Sequence, residues 1–515
     1  MSSISAEADA KEGMTMSSIP AEADVKKGMT VSSIPAEADA VVIGSGATGL
    51  AAAVTLAEGG AAVVVFEKQR SLGGTSNFFH GTFAVESALQ RERYVEYTRD
   101  QCFKITMDYS HWLADPRVVR AIINESAETI SWLQAQGVVV AYPTSNRHDS
   151  PPTYHPIGTG EAVVKSLVDQ AKAKGASIFP GTPVRSILRE GGKITGVIAE
   201  SDGEEVEVAA KAVVVGSGGY ANNKEWIKKY TGFDLGVNLT PVGNTGKTGD
   251  GIRMAWEVGA AEEGIGTLEL HRAGPMGDEF AMGCNLEQAA AQPGLWVTAR
   301  GERFCDETIG LWDTPVGNAQ GRYKKDGYTL SLFDDSMIEE WAERGVVKGM
   351  GWDFPPGYKL TNLRTEIQAA VDNGSTEVYA ADSLEDLAAQ IEVDPATLRA
   401  TVEEYNHYCA QGWDELFAKD RRYLRALVGP RFYAVRSRAV FLGTMGGIKI
   451  NSKMEVIDKK DTVIPGLYAG GFDAGGMYGD SYPIKSSSGL ASSFALNSGR
   501  IAGKSALAYL ASQAS

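Results

Sequence analysis

The chain has 515 residues, 43% hydrophobic and 22% charged, a composition typical of an ordinary globular protein with room for two or three domains. Its net charge of -16 disfavours nucleic acid and anionic membranes as partners, because like charges repel. No apolar run reaches the length of a membrane span, and the N-terminus is polar and acidic where a signal peptide is basic and then apolar. We therefore expect a cytoplasmic protein that binds a small molecule.

The first 40 residues repeat a short polar unit: MSSISAEADAKEGMT is followed by MSSIPAEADVKKGMT and then by VSSIPAEADA. Serine, alanine, glutamate and lysine dominate the unit, so it can bury too little apolar surface to offset the entropy of ordering. Residues 1–35 are therefore predicted to be a disordered tail.

The pattern changes at Ala38, where ADAVVIG predicts a buried strand, SGATG a turn, LAAAVTLAEGG a helix and AAVVVFE a second, parallel strand. Gly44, Gly46 and Gly49 form a GxGxxG motif in this unit, and Glu67 ends the second strand. The glycines permit a tight turn and close approach to a pyrophosphate, while Glu67 can accept both ribose hydroxyls. We therefore predict a dinucleotide-binding site; a purely structural glycine turn is the alternative.

A second glycine turn, Gly73-Gly74-Thr75-Ser76, indicates FAD rather than NAD, because its backbone amides can reach the phosphates from the other side. A plain surface loop is the alternative. The next segments predict helices at residues 116–136 and 160–174, and strands at 176–179, 184–188, 194–200 and 205–215. Regular patterning then fades, and residues 266–433 are predicted to be loop-rich.

Two further glycine-rich segments follow strands. Val213 begins the first, VVVGSGGY, after which Thr248-Gly249-Asp250-Gly251 opens a helix. The Asp250 carboxylate suits a sugar or ribityl hydroxyl, and a capping role for Thr248 or Asp250 is compatible with this. Near the C-terminus, IPGLYAGGFD precedes a helix predicted at residues 486–499. The positive end of that helix would stabilise an anionic reduced flavin, unless its small residues serve packing alone.

The order of these motifs, including RGERF at residues 300–304 and GTMGG at 443–447, resembles the fumarate reductase-like flavoprotein superfamily from about Asp39 to Leu510. The resemblance implies an α/β fold with a discontinuous, Rossmann-like FAD-binding domain (36–264 and 440–515) and an inserted α+β substrate-capping domain (265–439). It also implies non-covalent FAD, because Thr75 stands near the histidine to which succinate dehydrogenases attach flavin.

The predicted FAD-binding residues come from the glycine turns, the strand ends and the start of the last helix. They are Gly44, Ser45, Gly46, Ala47, Thr48, Gly49, Glu67, Lys68, Gly73, Gly74, Thr75, Ser76, Val184, Gly216, Ser217, Gly218, Asp250, Gly470, Gly471, Asp473, Ser488, Gly489, Leu490 and Ala491. The cysteines, at 102, 284, 305 and 409, lack the spacing of a metal site, a disulfide framework or a haem attachment motif. We therefore predict no metal and an external electron acceptor.

The residues that fumarate reductases use on a dicarboxylate are largely replaced. By resemblance, Leu311 stands where the arginine proton donor belongs, Gly443 where a histidine belongs, and Tyr482 near a second arginine. Only His271 falls where the family places a substrate histidine. The segment Gly479-Asp480-Ser481-Tyr482-Pro483 is instead similar to the 3-ketosteroid 1-dehydrogenases, in which this tyrosine and a backbone amide four residues on bind the substrate ketone.

That similarity nominates Tyr482 and the amide of Ser486 as carbonyl ligands, because donors at the carbonyl oxygen stabilise a developing enolate. The family's tyrosine base is replaced by Leu311 or Trp312. Candidate bases are Tyr154, His155, Tyr109 and His271, and Trp112, Trp296 and Trp312 are candidate pocket walls. A structural role is the alternative for each of them.

These residues predict an FAD-dependent desaturase that places a double bond beside the carbonyl of a cyclic ketone, either a 3-ketosteroid or a smaller cyclohexanone. The first alternative is the reverse chemistry, an ene-reductase of an unsaturated acid or ketone, although the arginine pair expected of it is missing. The second is a flavin-binding protein without catalytic activity.

Overall fold

The computed structural model describes residues 34–145, 150–243, 245–277, 279–280, 283–309, 314–349, 354–484 and 487–514. Of the tail predicted at residues 1–35, residues 1–33 lie outside these ranges. The strands are β1 (Glu37–Ile43), β2 (Val63–Glu67), β3 (Gly81–Phe83), β4 (Tyr154–Pro156), β5 (Ser177–Pro180), β6 (Val184–Glu190), β7 (Lys193–Ser201), β8 (Glu204–Val215), β9 (Thr240–Pro241), β10 (Glu262–Glu263), β11 (Leu268–Ala273), β12 (Leu295–Thr298), β13 (Thr329–Asp334), β14 (Val378–Ala381), β15 (Phe432–Thr444), β16 (Gly447–Ile448), β17 (Glu455–Ile457) and β18 (Val463–Ala469).

The helices connect and cover these strands. They are α1 (Ala47–Glu58), α2 (Ala88–Glu92), α3 (Arg99–Tyr109), α4 (Pro116–Ala135), α5 (Gly160–Ala173), α6 (Lys224–Thr231), α7 (Asp250–Glu257), α8 (Asn285–Ala290), α9 (Thr314–Gly321), α10 (Asp335–Glu343), α11 (Leu363–Asp372), α12 (Leu384–Gln390), α13 (Pro395–Gln411) and α14 (Leu490–Ala514). Within the described ranges, no helix combines the length and apolar character that crossing a membrane requires.

The first sheet has a parallel centre in the order β18-β8-β1-β2-β5, and β17 adds an antiparallel edge. Its central strands are buried along their length, as the run Val63 to Glu67 shows, because helices such as α1 and α14 cover the sheet. The hairpin of β6 and β7 continues the sheet beside β8. This sheet confirms the predicted Rossmann-like α/β arrangement.

The second sheet, in the order β11-β15-β13-β12, occupies the middle of the chain and has its own hydrophobic core. The prediction that residues 266–433 are loop-rich was therefore wrong. Strands such as β12 and β13 are buried on both faces, so their sequences do not alternate and periodicity alone does not reveal them. The two cores separate near the predicted domain boundaries, which stay predictions.

Most helices predicted in the first half agree with the structure, including α4 and α5. The last helix differs, since α14 begins at Leu490 rather than at 486. Gly489 precedes it with φ +81°, a left-handed conformation that favours glycine and is incompatible with a helical residue at that position.

Candidate active site

The GxGxxG turn joins β1 to α1 at the carboxyl edge of the parallel sheet. Gly44 has φ +100°, and a Cβ added there would lie 2.4 Å from the carbonyl oxygen of Gly216. A Cβ on Gly49 would lie 1.9 Å from the carbonyl oxygen of Gly44. Both positions therefore require glycine, and the close packing brings the start of α1 beside the end of β8.

Glu67 organises the first turn from the end of β2. Its Oε2 accepts hydrogen bonds from the Ser45 amide at 3.0 Å and the Ser45 hydroxyl at 2.7 Å. The Ser45 hydroxyl in turn accepts from the Gly73 amide at 3.0 Å, and Ser76 Oγ accepts from the Ala47 amide at 2.9 Å. The two predicted glycine turns are therefore joined into one cradle.

Lys68 connects this cradle to the third glycine segment. Its ammonium donates to Asp250 Oδ2 at 2.6 Å and to Thr248 Oγ1 at 2.7 Å. Neither of these two residues caps α7, because the N-cap is Gly249 and it has no side-chain cap. The Thr182 amide donates to the Glu67 carbonyl at 2.8 Å, which places the start of β6, with Val184, beside the end of β2.

Asp473 connects the C-terminal segment to the strand end at β8. Its buried carboxylate accepts from the Ser217 hydroxyl at 2.9 Å and from the Gly218 and Gly219 amides at 2.9 and 3.0 Å. Burial raises the pKa of Asp473, and these donors oppose the rise. Close to it, the Gly471 amide donates to Ser498 Oγ at 2.9 Å, while a Cβ on Gly470 would lie 3.0 Å from Thr48 Cγ2.

The predicted FAD residues thus meet where β1, β2, β8 and β18 end, which is where open parallel sheets bind ligands. Thr75 adds an observation that fits a bound group: its Oγ1 is buried and has no hydrogen-bond partner among the residues that the structure describes. A Cβ added to nearby Gly243 would lie 3.1 Å from Thr75 Cγ2, so these two segments pack closely beside the cradle. A threonine also lacks a nucleophilic nitrogen, in keeping with the non-covalent attachment predicted for the cofactor.

Two of the nominated tyrosines lie at the start of α14. Tyr482 is buried, and its Oη accepts from the Ala491 amide at 3.3 Å. Gly489, beside Ser488, accepts from the Phe83 amide at 3.1 Å. This bond brings β3 and its partner β4 against the helix start, and a Cβ on Gly489 would lie 3.0 Å from Tyr154 Cδ2. The structure therefore brings Tyr154 and Tyr482 together.

Glu269 of β11 is buried and lies near Tyr478 and Tyr482, whose pKa values are raised by burial and by its charge. Burial raises the pKa of Glu269 to about 8, and the Lys247 ammonium opposes the rise. Burial likewise lowers the pKa of Lys247 to about 8. Although both residues lie in the described ranges, no ion pair joins them; Lys247 donates to the carbonyl of Leu442 at 2.7 Å. Glu269, Lys247, Tyr478 and Tyr482 are called the Glu269 cluster below.

An irregularity in strand pairing accompanies this cluster. Leu268 pairs with Thr444, but Leu270 pairs with Phe441, so β15 has one extra residue opposite Glu269. Bulges of this kind release backbone groups from the ladder and often occur beside active sites. Here the bulge contains Leu442, the residue whose carbonyl accepts from Lys247.

The remaining nominated residues are placed as follows. His155 is buried, with Nε2 at 2.8 Å from Ser87 Oγ and Nδ1 at 3.1 Å from the Thr153 carbonyl, and burial lowers its pKa to about 4. His271 is buried two residues beyond Glu269 on β11. Trp112 is 59% exposed and donates to Asp108. Their catalytic roles stay predictions, and the nominated Ser486 lies outside the described residues.

Glu269, Lys247 and Tyr478 were not predicted from the sequence. The signal that could have found them was Glu269 itself, a charged residue that stands between Leu268 and Leu270 on a buried strand. Charged residues are almost never fully buried without a partner, so such a position is a candidate functional site.

Comparison with known proteins gives a family and two informative relatives. A family described as "FAD binding domain" matches residues 39–488. The chain is 34% identical over 478 residues to the vinyl phenol reductase of Lactiplantibacillus plantarum, which covers 91% of this chain and 96% of that protein. It is 27% identical over 449 residues to the NADH:fumarate oxidoreductase of Klebsiella pneumoniae, which covers 85% of this chain but only 44% of that longer protein.

A solved structure gives the same architecture. The 3-ketosteroid Δ1-dehydrogenase from Sterolibacterium denitrificans, in complex with 1,4-androstadiene-3,17-dione, superposes with a TM-score of 0.74 at 20% identity, over 92% of this chain and 100% of that one. Identity this low supports the fold alone. The predicted fold class is therefore confirmed.

Proposed function

This chain belongs to the FAD binding domain family, and from that premise we propose that it is an ene-reductase that saturates a carbon–carbon double bond conjugated to a phenol ring. FAD is its cofactor, and it is an oxidoreductase. The family also bears out the predicted likeness to fumarate reductase-like flavoproteins.

The match to the vinyl phenol reductase carries the proposal, because it extends over 96% of that protein at 34% identity. The ketone desaturase predicted from sequence depended mainly on Tyr482 and on a similarity that is now limited to the fold. Reduction, the first alternative, has the better support.

The composition of the Glu269 cluster supports a neutral, hydroxylated substrate. By the resemblance, Tyr482 stands near the second arginine of fumarate reductases, and Leu311, which stands where their arginine proton donor belongs, lies outside the described residues. Tyr478 and Tyr482 are buried hydroxyl groups with ring centroids 5.8 Å apart. Such groups can hydrogen-bond a phenol. The cation of the cluster, Lys247, already donates to the carbonyls of Leu442 and Val242, so among the described residues a carboxylate would be desolvated here without a dedicated cationic partner.

When bound in its reduced form, FAD supplies a hydride. The residues predicted to hold it are those of the cradle around Glu67, Asp250 and Asp473. The chain's own contribution is to bind the phenol hydroxyl and to exclude water by burial. Each turnover consumes two electrons from the reduced flavin. We propose that a diffusing two-electron donor restores them, and this donor replaces the external acceptor predicted from the sequence.

Anaerobic flavin absorbance tests the proposal on the full-length holoenzyme. Chemically reduced enzyme is mixed with 4-vinylphenol or fumarate, and oxidised enzyme with saturated cyclic ketones. We expect 4-vinylphenol to reoxidise the flavin much faster than fumarate does. Bleaching of the oxidised enzyme by a cyclic ketone, with no reoxidation by 4-vinylphenol, would restore the desaturase interpretation.

A further inference from the structure

Glu269 belongs to the second sheet and lies near the segment that precedes α14. Its strand, β11, pairs with β15 in the second sheet, and it faces Tyr478 and Tyr482 from the segment before α14. That segment leads into Gly489 and Ala491, two of the predicted FAD-binding residues, and Tyr482 Oη accepts from the Ala491 amide. In addition, a Cβ added to Gly218 of the predicted cofactor cradle would lie 3.7 Å from Lys247 Cγ. Glu269 is therefore close both to the tyrosines and to the predicted position of the cofactor.

Two polar atoms in the Glu269 cluster have no protein partner among the described residues. Glu269 is 3% exposed and Tyr478 is 1% exposed. Within those parts of the chain, neither Glu269 Oε2 nor Tyr478 Oη has a hydrogen-bond partner. Leaving a buried donor or acceptor unsatisfied is costly, so two such atoms in one cluster indicate a ligand that completes it.

We propose that Glu269 is the proton donor of the reduction: its carboxyl group gives a proton to one alkene carbon while the other carbon receives hydride from reduced FAD. This rests on the proposed function. The C=C π bond, the Glu269 O–H bond and the N–H bond from which reduced FAD would supply the hydride break, and two C–H bonds form. Glu269 remains as a carboxylate that regains its proton from solvent, and oxidised FAD regains two electrons from the diffusing donor.

The neighbouring groups are less suited to donate this proton. Lys247 Nζ is directed toward the carbonyls of Leu442 and Val242, at 2.7 and 3.3 Å. Burial raises the pKa of Tyr482 well above its usual range, so its hydroxyl holds the proton tightly. The ring of His155 is engaged by Ser87 and Thr153. Glu269 is protonated near neutral pH because burial raises its pKa to about 8, close to the value at which a general acid works best.

The pH dependence of the reaction follows from the groups around Glu269. Lys247, in the segment before α7, lowers the Glu269 pKa, so removing its charge must raise that pKa. Burial raises the pKa values of Tyr478 and Tyr482, in the segment before α14, well above their usual range. The other titratable groups on neighbouring elements are Tyr154 in β4, beside Tyr482, and His271 on β11.

The test is the reoxidation of reduced holoenzyme in a stopped-flow instrument. Glu269→Gln keeps the side-chain volume but lacks the acidic proton, so reoxidation by 4-vinylphenol is expected to slow by about 100-fold or more. Reoxidation by ferricyanide, which needs no proton on carbon, is expected to stay unchanged. Glu287→Gln is the control for the loss of a buried carboxyl group, since Glu287 in α8 already accepts from the Gly283 amide at 2.6 Å.

A second measurement uses the wild-type chain and does not depend on the folding of the variant. Its alkene-dependent rate is expected to fall roughly tenfold for each pH unit above about pH 8, as Glu269 loses its proton. Lys247→Met is expected to move this decrease in rate to higher pH. A flat profile, or wild-type alkene reduction by Glu269→Gln, contradicts the role of Glu269 while leaving the reductase function intact. Failure of every alkene to reoxidise the wild type overturns the function itself, and the proton donor with it.

Discussion

Two clusters of buried charge in this protein differ in whether the chain satisfies them. The Arg303 cluster consists of Arg303, Glu307, Asp414 and Lys419, whose side chains are at most 2% exposed. Arg303 donates to Glu307 at 2.8 and 2.9 Å and to Asp414 at 3.0 and 2.7 Å. Lys419 lies 3.2 Å from Glu307 and donates to the Gly294 carbonyl at 2.6 Å. Two cations face two anions, and each has its partners.

The Glu269 cluster is equally buried but incomplete. Its acid and its ammonium form no ion pair, and two of its oxygens have no partner within the described parts of the chain. Buried charges are tolerated when they are paired, and perturbed groups without pairs concentrate at functional sites. We infer that the Arg303 cluster, called the closed cluster below, stabilises the fold, whereas the Glu269 cluster, called the open cluster, binds a ligand.

The largest expected effect concerns the closed cluster. Arg303→Met leaves Glu307 and Asp414 buried without their main partner, and breaking such a pair typically destabilises a protein by about 3–5 kcal/mol. Urea denaturation of the holoenzyme measures the change. Arg300→Met, in the same RGERF segment, is the matched control because the Arg300 pair with Glu302 is mostly exposed. A loss no larger than that of the control would show that the Arg303 cluster does not hold the fold.

The next effect is the pH dependence of stability in the open cluster. The folded pKa of Glu269 is raised to about 8, above the value of about 4.3 in an unfolded chain. The contribution of Glu269 to the free energy of unfolding is therefore fully present below about pH 4. It is lost as the pH rises toward 8, with a slope of up to about 1.4 kcal/mol per pH unit. The lowered pKa of Lys247 acts only above pH 8, where it makes stability rise again.

Glu269→Gln should remove this slope between pH 5 and pH 8, so that the variant exceeds the wild type in stability at pH 8. Thermal unfolding across that range measures it. Parallel curves for the two proteins would mean that Glu269 is ionised in the folded state, and the contrast between the clusters would lose its basis.

The glycine turns of the cradle could be predicted from the sequence because local backbone geometry dictates them, while their contacts with FAD stay predictions. Gly44 and Gly49 must be glycine to fit against Gly216 and one another, and such turns leave a recognisable spacing. FAD was predicted from the second glycine turn, and the fold class from the order of motifs that resembles fumarate reductase-like flavoproteins; both are confirmed. The RGERF motif also contributed to the resemblance to the superfamily, although its Arg303 is hydrogen-bonded to Glu307 and Asp414 in the protein interior.

The open cluster was not predictable in the same way, for it depends on contacts between distant segments. Lys247 precedes α7, Glu269 lies in β11, and Tyr478 lies more than 200 residues further on. No local pattern shows that these charges lose their solvent together, and periodicity treats a charged residue as exposed. Tyr482 was found only through a resemblance, which also directed the prediction toward ketone desaturation.

The smallest expected effect compares the Tyr405 hydroxyl, which contacts the Arg303 cluster, with the Tyr478 hydroxyl of the Glu269 cluster. Tyr405 accepts from Lys419 at 2.8 Å in the closed cluster, so Tyr405→Phe is expected to cost about 1–3 kcal/mol by removing an acceptor from a buried ammonium. Tyr478 Oη has no such partner among the described residues, so Tyr478→Phe is expected to leave the melting temperature unchanged or slightly higher. If that hydroxyl binds substrate, KM for 4-vinylphenol should rise by roughly tenfold. Equal destabilisation by both substitutions would mean that the Tyr478 hydroxyl already serves the fold, and the open cluster would then reduce to Glu269 and Lys247.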